Sequence, residues 1–80
     1  MITPAQCRAA RALIEWPREQ LAEVSRVALR TIVDFERGAR SPREVTLIAI
    51  QAALESGGIA FLDNGDVSSG PGVALRDRQG

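Results

Sequence analysis

Residues 17–38 read PREQLAEVSRVALRTIVDFERG, and the apolar positions of this stretch fall into two short helical periods. Leu21 and Ala22 mark the inner side of a helix over Arg18–Val24; Ile32 and Phe35, three apart, mark that of a second over Ala28–Arg37. Ser25, Arg26 and Val27 are left as the turn between them. Pro17 suits the first turn of a helix through its fixed φ, and Gly38 suits a helix end because glycine enters the left-handed region freely. Two short helices joined by a three-residue turn have the spacing of a DNA-reading pair, in which one helix lies across the major groove and the next enters it.

The flanking sequence predicts further helices and then a change of character. Thr3, Pro4 and Gln6 form a capping box with Pro at the first helical position, opening a helix over Pro4–Glu15 with Cys7, Ala10, Leu13 and Ile14 at helical spacing. Ser41, Pro42, Arg43 and Glu44 repeat that signature and predict a helix from Pro42 to Ser56, with Leu47, Ile50 and Leu54 inward and Gly57–Gly58 ending it. Ile59–Asp63 and Val73–Arg76 are strand-like runs around the polar loop Asn64–Gly72, a β-hairpin. The expected organisation is mainly α: a helical domain over residues 1–58, a hairpin over 59–76 and a frayed tail over 77–80. A lone two-stranded ribbon is barely stable in water, so this one must pack on the helices or pair with another chain.

Composition narrows the function. Eighty residues, 45% of them apolar, suit one compact core. No apolar run approaches the ~20 residues of a membrane span. Met1–Arg8 lacks a charged region followed by an apolar stretch, so a cytoplasmic location is expected. Cys7 is the single cysteine and there is no histidine, which argues against an internal disulfide, a zinc site and a histidine-based catalytic triad. No catalytic residue, metal, cofactor or small-molecule ligand is expected, and Cys7 reads as a small core residue rather than a nucleophile. The zero net charge hides an asymmetry: residues 1–43 hold eight arginines against five acids, residues 44–80 two against five. All ten basic residues are arginine, which favours planar bidentate contacts, although a GC-rich coding bias gives the same pattern.

Several segments together resemble the lambda-repressor/Cro-like (XRE-type) helix-turn-helix regulators. They are Thr3–Trp16 with its Leu13-x-x-Trp16 step, the Glu-x-Leu-Ala pattern of Glu19–Ala22, the run Arg30–Gly38, the Pro-containing entry to the fourth helix, and the closing Pro71, Gly72, Val73, Leu75 and Arg76. The resemblance covers nearly the whole chain and implies a four- to five-helix DNA-binding domain with a C-terminal β-hairpin. It places Arg18 near a phosphate and Ala28, Leu29, Arg30 and Asp34 on the groove-facing side of the second helix of the pair, with Arg26, Thr31 and Arg37 completing that surface. Arg30 would read guanine through a bidentate pair and Leu29 would touch a thymine methyl. Arg40 and Arg43 would hold backbone phosphate. The plainer reading, that these arginines only solvate a helical surface, stays open. Arg11 and Glu36 match positions that form a structural ion pair, and Trp16 matches a packing residue rather than a base-stacking one.

The chain departs from the family pattern where DNA would be met. Pro17 and Arg18 stand where a Ser cap followed by Gln is common, Arg26 where Gly is common, and Ala28 where a Ser cap is common. Losing a good cap costs about 0.5–2 kcal/mol, and left-handed angles at a non-glycine residue add roughly 1 kcal/mol. Either Arg18 and Arg26 compensate by gripping phosphate, or the surface binds a protein instead. The expected function is a sequence-specific transcriptional regulator bound to double-stranded DNA as a homodimer on a two-fold symmetric operator. Ile59, Phe61, Val73 and Leu75 are its expected dimer surface. The alternative is a protein-interaction module, antiactivator- or antitoxin-like, consistent with four arginines balancing four acids over residues 17–38.

Overall fold

Thr3 starts the first helix as its sequence predicts: its Oγ1 accepts from the Gln6 amide at 3.1 Å while its own amide donates to Gln6 Oε1 at 3.0 Å. The computed structural model describes residues 1–62 and 72–75, which form α1 (Pro4–Ile14), α2 (Arg18–Ser25), α3 (Leu29–Glu36), α4 (Glu44–Ser56), β1 (Ile59–Leu62) and β2 (Gly72–Leu75). Within the loop expected over Asn64–Gly72, only Gly72 is described. Asp63, Arg76 and the tail 77–80 also lie outside the described residues.

Each helix end has a local cause. α1 stops one residue short of expectation because Glu15 turns left-handed (φ 56°). Its amide donates to the Ala12 carbonyl and that of Trp16 to the Arg11 carbonyl, a double closure in which glycine is the usual residue. Gly38 (φ 75°) closes α3 in the same way, through its own amide to Phe35 and the Ala39 amide to Asp34. The expected capping box at Ser41 does not form. Arg43 is the N-cap of α4, with no side-chain cap, and Pro42 lies in the extended connection, where its φ fits equally well.

The core joins all four helices and β1: Ile2, Cys7, Ala10, Leu21, Ile32, Phe35, Leu47, Ile50, Ala53, Leu54 and Ile59 are buried. Leu13, expected in the inner stripe of α1, is instead 44% exposed, since Cys7, Ala10 and Ile14 already fill that face. After α4, Gly57 lets the chain pass beneath α1, because a Cβ there would sit 2.9 Å from both Ile14 Cδ1 and Trp16 Cζ2. The antiparallel hairpin that follows pairs Ile59 with Leu75 and Phe61 with Val73, and packs β1 on α4 and β2 on α1. This corrects the expected dimer surface. Ile59 is wholly buried in the chain's own core, Phe61 and Val73 pack half-buried against it, and Leu75 alone of the four is exposed.

The turn between α2 and α3 carries two local deficits. Arg26 sits at φ 64°, a left-handed conformation disfavoured by its Cβ, and Ala28 leaves the N-terminus of α3 without a side-chain cap. Arg26→Gly is therefore expected to stabilise the fold by roughly 0.5–1 kcal/mol and Ala28→Ser by about 1 kcal/mol, read as a raised urea midpoint at unchanged slope.

Candidate nucleic-acid interface

Side chains from two helices converge on Glu36, the last residue of α3, whose own side chain is only 1% exposed. Arg11 of α1 grips it bidentately, Nε donating to Oε2 at 2.7 Å and Nη2 to Oε1 at 2.8 Å. The Cys7 thiol donates to Oε2 at 3.0 Å, and Arg18 Nη1 of α2 lies 3.8 Å from Oε1. Arg8 donates to the Glu36 backbone carbonyl, satisfying an acceptor at the negative end of α3. Arg11 also donates to the Trp16 carbonyl at 3.0 Å, which fixes the link into α2. Among the described residues no buried side-chain nitrogen or oxygen lacks a partner. One carboxylate thus ties α1, α2 and α3 together and orients α3.

Ionisation follows from this geometry. Burial pushes the Glu36 carboxyl upward, but hydrogen bonds from Arg11 and Cys7 and the charges of Arg11 and Arg18 outweigh it, so the net shift is below the ordinary 4.5. The same hydrogen bond to Glu36 raises Arg11. Burial, then the bond and charge of Glu36, push the Cys7 thiol far up, so it stays protonated and remains a donor. Sequence reasoning treated Cys7 as packing alone and assigned no role to Arg8. The available signal was their place with Arg11 on one side of α1, at spacings of three and four.

With Ile32, Phe35 and Glu36 turned inward, α3 presents its other side to solvent. Ala28, Leu29 and Arg30 are exposed at its start, Thr31 and Asp34 are half-buried beside them, and Arg37 is exposed at its end. Arg30 Nε donates to Asp34 Oδ2 at 3.3 Å, and Arg37 Nη1 lies 3.7 Å from Oδ1. Arg26 projects from the turn, which is held by its amide bond to the Ala22 carbonyl (2.9 Å) and by the Val27 amide bond to Ser25 Oγ (3.2 Å). Arg40 and Arg43 are exposed in the connection leading into α4, and neither they nor Arg26 have a side-chain partner among the described residues. Arg18 keeps 45% of its side chain exposed while facing Glu36, so it serves the structural node as well as the surface.

If Glu36 is ionised in the folded state with its pKa below 4.5, the stability it contributes is present above that pH and is lost as pH falls through the folded value. Glu36→Gln leaves Arg11 without its counter-charge, so at neutral pH a loss toward the lower end of about 3–5 kcal/mol is expected. The gap between the two proteins should close in acid, where the native side chain is itself neutral. Thermal denaturation followed by circular dichroism checks this, and a gap independent of pH would refute it.

Among the described residues no helix is long and apolar enough to cross a membrane, and no group of three or more His, Cys, Asp or Glu side chains is placed to hold a metal ion. No curated protein matches the chain. A helix-turn-helix family profile matches residues 8–58, well over half of the chain and spanning α2, the turn, α3 and α4. The protein therefore belongs to the lambda-repressor-like (XRE-type) helix-turn-helix family of DNA-binding transcription regulators.

Proposed function

We propose that this chain is a sequence-specific regulator that inserts α3 into the major groove and binds a two-fold symmetric operator as a homodimer. The observation that carries the reading is the division of α3 into two faces. Its inner face is consumed by Ile32, Phe35 and the Glu36 node, leaving Leu29, Arg30, Asp34 and Arg37 directed outward on a helix that fits a groove about 12 Å wide. Ala28 and Thr31 allow close approach at the start of that helix. Arg18, Arg26, Arg40 and Arg43 supply phosphate contacts around it, and each one made adds to the salt dependence of binding.

Eight residues of helix reach few base pairs, so selectivity calls for two copies about one DNA turn apart. Leu75, 54% exposed, and the outer edges of a sheet with two strands support pairing through the hairpin, in a narrower form than Ile59, Phe61, Val73 and Leu75 together would give. The family and the absence of a spanning helix among the described residues agree with a cytoplasmic regulator.

One observation favours a second reading. Val24 and Leu29, on either side of the turn, are 41% and 39% exposed, and the helix pair carries no net charge, features suited to a polypeptide partner.

Enrichment of bound duplexes from a randomised pool, followed by titration at two salt concentrations, tests the proposal. A defined site should emerge, its affinity falling at least about 10-fold on raising salt from 50 to 200 mM, with a slope that flattens by roughly 0.9 for each of Arg26→Ala, Arg40→Ala and Arg43→Ala. Failure to enrich any duplex at low salt would move the assignment to the polypeptide partner. Leu75→Arg should yield a monomer by light scattering that still binds a half-site.

A further inference from the structure

Arg30, Asp34 and Arg37 lie four and three residues apart and so line one outward row of α3. The single carboxylate serves both arginines: Oδ2 accepts from Arg30 Nε at 3.3 Å, and Oδ1 lies 3.7 Å from Arg37 Nη1. Exposure separates their levels. The Arg30 side chain is 81% exposed and that of Arg37 62%, while Asp34 sits beneath them at 18%.

We infer that Asp34 is a positioning residue for base selection: by holding Arg30 through Nε, it presents the Nη1/Nη2 edge of Arg30 to one guanine in each half-site. This inference deepens the DNA-binding reading and rests on it. A guanidinium offers two parallel donor edges, one through Nε and one through the terminal nitrogens. With Nε engaged, the terminal edge remains, and Arg30 makes no other hydrogen bond or ion pair among the described residues. Guanine displays two adjacent acceptors, N7 and O6, in the major groove, which a terminal fork matches.

The carboxylate also acts on the wrong contact. An unrestrained arginine swings toward the nearest phosphate, gaining affinity without sequence information. Asp34 opposes this twice. It restrains Arg30, and its negative charge between two arginines lowers the attraction of the row for any duplex. Because it sits lower than Arg30, it does so without meeting the DNA surface first. Glutamine or asparagine at this level would keep a hydrogen bond but not the charge.

The experiment compares wild type, Asp34→Asn, Arg30→Lys and Arg30→Ala on the enriched duplex, on versions carrying each other base at every position, and on an unrelated duplex. An exposed i,i+4 pair adds little to helix stability, so Asp34→Asn should melt with wild type. Wild type should prefer guanine at one position of each half-site by about 10-fold or more. In Asp34→Asn that preference should fall to about 3-fold or less while affinity for the unrelated duplex holds or rises. Arg30→Lys, which keeps the charge but not the fork, and Arg30→Ala should both lose the preference. A merely structural role would instead lower all affinities together with the melting temperature. Undiminished preference in Asp34→Asn, or no guanine preference in wild type, overturns the role of Asp34 while leaving DNA binding standing. Absence of wild-type binding to every duplex overturns the DNA-binding reading, and this one with it.

Discussion

A carboxylate withdrawn from water is the constraint around which this small protein is arranged. Glu36 can remain ionised only because the guanidinium of Arg11 meets both its oxygens, the Cys7 thiol adds a donor and Arg18 adds positive charge nearby. A hydrophobic residue there would bury as readily, yet would leave the rotation of α3 to be decided by Ile32 and Phe35 alone. Directional bonds from α1 remove that freedom. The side of α3 that faces outward is thus defined by the ion pair inside.

This rigidity matters because the surface segment next to it is locally unfavourable. α2 begins at Pro17 without a side-chain cap, leaves through a left-handed Arg26, and is followed by an α3 that starts at an uncapped Ala28. Each feature alone opposes the geometry adopted. What holds them is non-local: Leu21, Ile32 and Phe35 in the core, and the arginines gathered at Glu36. Strain concentrated at an exposed turn and over-determined from beneath is a pattern common where a surface meets a partner.

Much of this was legible in the sequence. Periodicity located all four helices, and Gly38, Gly57 and Gly58 marked helix ends because few other residues suit them. The Arg11–Glu36 pairing came from family resemblance, since nothing local connects residues 25 apart. Ser41 and Glu44 looked like a capping box because spacing alone defines that motif, whereas Pro42 is equally compatible with extended backbone, which is how the chain uses it. Ile59 looked available to a second chain because strand patterning cannot say which apolar residue lies under a helix. The sharing of Asp34 between Arg30 and Arg37 depends on rotamers, and no spacing rule contains that information.

The passage of Gly57 beneath α1 gives the protein an optical property. Trp16 is the sole tryptophan and there is no tyrosine, so fluorescence excited near 295 nm arises from one indole resting half-buried against the end of α4. That indole lies between the helix that precedes the turn and the segment that leads into the hairpin. Its emission colour and quenching therefore register whether these two parts of the chain remain seated on each other. An unlabelled sample carries its own reporter of the joint between reading head and ribbon, and a shift in that signal on adding DNA would reveal motion passing from one to the other.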